Sequence, residues 1–413
     1  MSGALEISRL GAQGDGIADT PKGQVFVPFT LPGEKVTASV HKDRADLIAV
    51  LEASPERVEP PCRHFGICGG CALQHMEDGA YRAWKRSKVM QTLASKHIEA
   101  DVGELVPCAP ETRRRVVFTA RRTERAMLLG YNQAFSHNIV AIEECPITLP
   151  AIVDRLDDLR EVAAAICTTA KPFRMTVTHT ASGLDIAAEE SGRLEDAERR
   201  RAVDLAIARG LARLSIDGEI IVEPKKPVVM MGDVAVSPPP GGFLQAVEAA
   251  EAAMAEIAAA HVAKSKKVVD LFSGSGAFAL RLARRSEVHA VEGDAAALAS
   301  LERGFRFGEG LKRVTTERRD LFRRPLTFKE LNLYDGLVFD PPRAGAEEQS
   351  KQIARSDIPK VAAVSCNPVT LARDLRILID GGYQLKSVTP LDQFLWSPHV
   401  EAVALLEKPR KRR

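Results

Sequence analysis

The sequence predicts an α/β protein: a doubly wound sheet fills its C-terminal part, with a small β-barrel and a mixed α+β region ahead of it. Three observations lead there. From about residue 242 apolar strand-like runs alternate with helical patterns. A Gly-x-Gly turn, Gly274 to Gly276, follows the first of those runs. Residues 1 to about 55 are short alternating runs broken by glycine and proline. With 413 residues, 45% of them apolar, the chain can fill more than one core.

In chain order, LEISRLGAQGDGIA, QVFVPFTLPGEKVTASV and ADLIAVLEAS suit a five-stranded barrel of the oligonucleotide-binding kind, assigned to residues 1–55. Residues 56–235 form the central region. There CRHFGICGGC follows Pro60-Pro61, and a helix is expected from near Tyr81 to near His97. Strands are expected at RRVVFTARR, AMLLGYN, FRMTVTH and GLDIAAE, with helices near 150–165 and 195–210. In 236–413 the alanine-rich run FLQAVEAAEAAMAEIAAAHVA reads as one helix by propensity. Strands are then expected at KKVVDLF, EVHAVEGD, YDGLVFD, KVAAVSC, YQLKSVTPLDQF and VEAVALLEK.

A net charge of +2 leaves attraction of an anionic partner to local patches. Residues 81–125 carry eleven Lys/Arg against five Asp/Glu, including Arg113-Arg114-Arg115, Arg121, Arg122 and Arg125, and the chain closes with KPRKRR. Such runs are also what solvated faces and tails look like. The N-terminus lacks a signal-peptide pattern, and no stretch reaches the roughly 18 apolar residues of a membrane span. A cytoplasmic protein without membrane contact is therefore expected. In that reducing compartment the seven cysteines are not expected to form disulfides, and their spacing suggests ligands.

Asp270-Leu-Phe-Ser-Gly-Ser-Gly lies between an apolar strand and a helix, where a backbone must turn sharply against a ligand. Glu292, twenty-two residues after Asp270, ends the next strand, where a carboxylate can accept ribose hydroxyls. The further glycine of a dinucleotide loop is missing: position 279 is alanine. S-adenosylmethionine, which has no pyrophosphate, fits the shorter loop better. Asp270, Glu292, Asp340 and Cys366 each fall at the carboxyl end of a different strand, where ligands gather in open α/β sheets. Cys366, on the polar turn Ser365-Cys366-Asn367-Pro368, reads as a nucleophile rather than a packing residue.

DLFSGSG, VEGD, DPPRAG, SCNP and HVEAVALLEK, in this order and spacing, resemble the class I S-adenosylmethionine-dependent RNA uracil-5 methyltransferase family. The cysteine spacing and the N-terminal barrel resemble most its 23S ribosomal RNA branch, which pairs a TRAM domain with a 4Fe–4S cluster. The resemblance implies a Rossmann-like seven-stranded methyltransferase domain in 236–413. It implies Cys366 as nucleophile and Glu401 as base, with Gln245, Phe272, Glu292, Asp320 and Asp340 as cofactor contacts. Carbon 5 of uracil needs such help: a thiolate must add at carbon 6 before carbon 5 can attack a methyl group, and a carboxylate must then remove the carbon 5 proton.

Cys62, Cys68 and Cys71, joined by Cys145, offer four thiolates, which suit zinc or a cubane iron–sulfur cluster. Three clustered cysteines and a distant one followed by proline favour the cluster, and the resemblance points the same way; zinc is the alternative. The expected partner is RNA, ribosomal in this branch, with its target base flipped out. A chain that grips so large an RNA can act as a monomer. With 5% aromatics, stacking platforms are few: Phe65, Phe135, His137 and Phe394 are the candidates. Cys108 and Cys167 read as packing residues. The rival readings are the tRNA branch, which lacks the cysteines and barrel, and a non-catalytic iron–sulfur RNA-binding protein.

Overall fold

The computed structural model describes residues 2–134 and 136–409. Phe135 and most of the basic terminus lie outside the described residues.

Residues 2–52 form a six-stranded sheet around Ile7, Val25, Val27, Val36 and Ala38, where five strands were expected. The extra strand arises because LEISRLGAQGDGIA does not run straight. Gly11 donates to the carbonyl of Asp15 and Gly14 to that of Gly11, so the chain folds back between Arg9–Leu10 and Gly16–Thr20.

The central region holds a second sheet, of seven strands, built on Arg115–Arg122, Met127–Asn132, Phe173–Thr180 and Gly183–Glu189. Ile139–Ala141, Arg213–Ile216 and Glu219–Val222, too short to announce themselves in sequence, complete it. The expected helix runs over Asp78–Ala94 and begins earlier than the pattern suggested, because the Glu77 side chain accepts from the backbone N–H of Ala80.

The third sheet has seven strands in the order Val314–Arg318, Glu287–Glu292, Lys267–Leu271, Gly336–Phe339, Lys360–Ser365, Glu401–Glu407, Gln384–Leu391. The first five are parallel, and Glu401–Glu407 runs antiparallel to both its neighbours. The edge strand Val314–Arg318 carries a single buried side chain, which is why its apolar pattern is silent.

The alanine-rich run is helical only over Glu248–His261. Residues 243–247 stay outside the helix because their backbone has a better partner: the Ala246 carbonyl accepts from Arg114 N–H, the Gln245 carbonyl from the Arg114 side chain, and Val247 pairs with Arg113. Tertiary hydrogen bonds override helix propensity there, and so deliver Gln245 to the sheet edge. Among the described residues no helix is long and apolar enough to cross a membrane.

Candidate active site and cysteine-lined cavity

The carboxyl ends of the five parallel strands share one edge of the third sheet. Because Glu401–Glu407 runs the other way, its first residue comes to that same edge: Ala402 pairs with Ser365, which sets Glu401 beside the turn carrying Cys366. A cavity of about 1240 Å³ opens there, lined by Gln245, Phe272, Glu292, Asp320, Asp340, Cys366 and Glu401. The seven residues expected as nucleophile, base and cofactor contacts thus line one space, while Asp270, singled out with them, does not.

At one end the backbone turns sharply after Lys267–Leu271, with Phe272, Gly274 and Gly276 at φ of 62°, 53° and 101°. A Cβ on Gly276 would press to 3.0 Å on the Leu301 side chain, so strain and space both require glycine there. The Glu292 carboxylate is fixed by three backbone N–H groups, from Gly274 at 3.0 Å, Gly293 at 2.7 Å and Asp294 at 2.9 Å. Asp320 accepts from the N–H groups of Phe322 and Arg323. The rings of Phe272 and Phe322 lie 5.5 Å apart. Apolar ring faces flanked by oriented carboxylates are what a purine nucleoside needs, one to stack against and the other to hold ribose hydroxyls. Phe322 escaped the sequence reading, since an aromatic two residues past an edge strand's Asp320 carries no pattern of its own.

At the other end the groups are buried and interlocked. Gln245 Nε2 donates to Asp340 at 2.9 Å, and Gln393 Nε2 donates both to Gln245 Oε1 at 2.8 Å and to Glu401 at 2.5 Å. Burial pushes the Glu401 carboxyl up to about 8, helped by the charge of Asp340 and opposed by Gln393 and Arg343. Asp340 is pushed up to about 7, again first by burial, against the hydrogen bond from Gln245. The Cys366 thiol rises to about 11 through burial and then through the two carboxylates, while Arg343 favours the thiolate. Asp270 is wholly buried and sits beneath the site rather than in it; burial raises its carboxyl well above the usual range. Gln393 also escaped the sequence reading: it fell inside the expected strand YQLKSVTPLDQF, which in fact ends at Leu391, and a lone glutamine there carries no signal of its own.

Cys62, Cys68, Cys71 and Cys145 line a separate cavity of about 270 Å³. The two chain segments that supply them are tied together: Arg63 N–H donates to Glu144 at 2.6 Å, and Glu143 N–H to the His64 ring at 3.0 Å. Gly69 N–H donates to Asn132 O at 3.0 Å. Burial raises the thiols of Cys62, Cys68 and Cys71, the last to about 12, and each also senses the charge of Cys145. Among the described residues, no three His, Cys, Asp or Glu side chains converge closely enough to hold a single metal ion.

The run Arg113-Arg114-Arg115 is not the open basic surface that its composition suggested. Arg114 is buried and ion-paired with Glu251 at 2.8 Å, whereas Arg113 and Arg115 line the cysteine cavity. Lys85 is likewise buried, against Asp392. Arg121, Arg122 and Arg125 remain exposed. Among the stacking candidates, Phe65 packs on Phe29 at 5.1 Å, His137 is exposed, and Phe394 borders both cavities. Cys167 packs in the core of the central sheet, and the Cys108 thiol lies 3.3 Å from the Thr112 hydroxyl.

Residues 306–409 match the family model described as tRNA (uracil-5-)-methyltransferase, and residues 5–54 match the TRAM domain. An uncharacterized RNA methyltransferase of Mesorhizobium japonicum is 69% identical over 100% of both chains. The 23S rRNA (uracil(1939)-C(5))-methyltransferase RlmD of Halomonas elongata is 33% identical, covering 98% of this chain and 89% of its own length. Among solved structures, the Pyrococcus abyssi tRNA (uracil-54, C5)-methyltransferase in complex with S-adenosyl-L-homocysteine has the same fold, with a TM-score of 0.75 at 23% identity over 98% of this chain and 100% of that one.

Proposed function

The chain belongs to the S-adenosylmethionine-dependent RNA uracil-5 methyltransferase family, and from that premise we propose that it methylates carbon 5 of a uridine in 23S ribosomal RNA, with Cys366 as covalent nucleophile and Glu401 as base. The observation that carries the roles is the meeting of a cysteine and a carboxylate of raised affinity for protons at the deep end of a cavity whose other end suits a nucleoside.

When bound, S-adenosylmethionine supplies an electrophilic methyl group. Glu292 and Asp320 would hold its nucleoside part, with Phe272 against the base, while Asp340 and Gln245 would face the methionine end. The Cys366 thiol is held protonated by burial and by its carboxylate neighbours, so it would give its proton to solvent and form the thiolate as uracil enters, with Arg343 favouring the anion. Its Sγ bonds to carbon 6, and the electron pair of the broken 5,6 double bond makes carbon 5 nucleophilic. Carbon 5 takes the methyl group as its bond to the cofactor sulfur breaks, leaving S-adenosylhomocysteine. Glu401 then removes the carbon 5 proton, the double bond reforms, and the Sγ–C6 bond breaks. A carboxylate that titrates near neutrality suits a base that must accept a proton and give it up.

The four-cysteine cavity fits a 4Fe–4S cluster better than zinc. Tetrahedral zinc draws its sulfurs to about 3.8 Å of one another, given Zn–S bonds of about 2.3 Å, whereas a cubane spreads its thiolates around a larger body. Among the described residues no three of these thiols converge on a single ion, and Arg113 and Arg115 on the cavity wall would offset the negative charge of a thiolate-ligated cluster. Its assigned role is to brace the central region. The barrel over 1–55 and the central region over 56–235 would grip RNA while 236–413 performs the chemistry, in the cytoplasm. Ribosomal RNA is preferred to tRNA because the RlmD relative is 33% identical over 98% of this chain, against 23% for the tRNA (uracil-54, C5)-methyltransferase over the same share.

RNA carrying 5-fluorouridine tests the mechanism, since fluorine at carbon 5 blocks the proton-removal step. A denaturation-resistant protein–RNA adduct is expected with the native chain and none with Cys366→Ala. An adduct that survives the substitution would remove Cys366 from its role. A non-catalytic RNA-binding protein would give no adduct in either case.

A further inference from the structure

We propose that Gln393 is a positioning residue that aims the Glu401 carboxylate and holds it in register with the cofactor side of the cavity; the proposal rests on the reading of Glu401 as the base. Gln393 is 2% exposed, and its Nε2 donates to Glu401 and to Gln245, which in turn donates to Asp340. Both neighbours of Nε2 are acceptors. The amide therefore has one workable orientation, and the donor direction runs one way from Gln393 through Gln245 to Asp340. The cost of that orientation is visible: Gln393 Oε1 is buried with no hydrogen-bond partner. A buried unpartnered carbonyl opposes folding, and a leucine or methionine would pack there without it. What the glutamine adds is a rigid link between two carboxylates that would otherwise repel each other across the cavity.

The backbone around Gln393 is anchored as a positioning device requires. Asp392 accepts from Tyr81 OH at 2.6 Å, from Lys85 Nζ at 2.8 Å and from Phe394 N–H at 2.9 Å. Three residues after Gln393, Trp396 sits in the left-handed region at φ 56°; its N–H donates to Tyr81 OH, and its carbonyl accepts from Ala72 and Leu73, just past the cysteine run. The segment that carries Gln393 is thus pinned from the central region on both sides, and motion of the base is restricted at the carboxylate as well as along the chain.

The charged and titratable groups that face Glu401 are Asp340 and Arg343, from the loop after Gly336–Phe339, and Cys366, from the turn after Lys360–Ser365. Glu251 acts on it through Asp340. Against that set, the Gln393 N–H favours the ionised carboxylate. Gln393→Met, close in size and without the donor, should leave adduct formation and methyl transfer near native levels in a single turnover. It should slow release of methylated RNA about 10-fold to 100-fold, so that methylated adduct accumulates on Cys366. The acid limb of the release rate should move up by about one pH unit, the size of a lost charge-assisted hydrogen bond. Gln393→Glu, which places a third carboxylate beside the pair, should move that limb further up. Native-like circular dichroism and S-adenosylmethionine affinity establish that each variant is folded. Release kinetics and pH limb unchanged in folded Gln393→Met would overturn the proposal, as would equal slowing of adduct formation and release. If the native chain itself forms no 5-methyluridine, the failure lies with the functional reading rather than with Gln393.

Discussion

Cys366 and Glu401 make opposite demands on one buried space, and each demand has its own pH signature. Because the thiol is raised to about 11, its thiolate fraction in the substrate-free protein should climb with pH through the neutral range. Alkylation of Cys366 by iodoacetamide, read on its own peptide by mass spectrometry, should therefore accelerate about tenfold per pH unit with no plateau below about pH 10. A plateau near neutrality would mean a stored thiolate. Glu401 is raised from 4.5 to about 8, so the stability linked to it is fully present below about 4.5 and is lost as pH rises through about 8. Glu401→Gln removes that loss: the variant should melt a few degrees above the native chain at alkaline pH and show little gain at acid pH, as a pH series of thermal melts would reveal. The sequence reached both residues, but neither value could be read from it, since burial and the charge of Asp340 are properties of the fold.

At the scale of elements, the site depends on segments that are held rather than regular. The non-helical stretch 243–247 carries Gln245 because Arg113 and Arg114 hold its backbone, and the loop 392–399 carries Gln393 because Tyr81 and Lys85 hold Asp392. Removing the Lys85 charge leaves a buried carboxylate, and Lys85→Met should destabilise the protein by about 3–5 kcal/mol in denaturant titrations; a change below about 1 kcal/mol would show the pair to be incidental. The cysteine loop has a similar dependency. A Cβ on Gly69 would come within 2.8 Å of the Asn132 carbonyl, so Gly69→Ala should force Cys68 away from its partners and lower the iron and sulfide recovered with the protein, while unchanged content would contradict the cluster assignment of that loop. These dependencies explain what was legible. The strands that end in Glu292, Asp340 and Cys366 are apolar runs with polar stops, which a one-dimensional pattern reveals. Gln245 sat inside an apparent helix and Gln393 inside an expected strand, and Arg114 and Lys85 looked like solvated cations, because the groups that fix Gln245, Arg114 and Lys85 lie 95 or more residues away in the chain.

Across the whole molecule the barrel, the cysteine-bearing region and the methyltransferase sheet meet around one shared cluster, in which Leu31, Leu73, Tyr81 and Leu395 pack together. Lys88 Nζ spans the same junction, donating to Ala12 O at 2.7 Å and to Pro398 O at 2.5 Å. Deleting residues 1–55 should therefore lower the melting temperature as well as RNA affinity; a truncated chain that melts like the full one would mean the barrel is only tethered. The central claim is methyl transfer to a uridine of ribosomal RNA through Cys366. Its most direct test is transfer of labelled methyl from S-adenosylmethionine to unmodified ribosomal RNA and tRNA, with the product identified by nucleoside mass analysis, for the native chain and for Cys366→Ala. 5-Methyluridine is expected in ribosomal RNA with the native chain and none with the variant. Label confined to tRNA would contradict the substrate, and label undiminished by Cys366→Ala would contradict the mechanism.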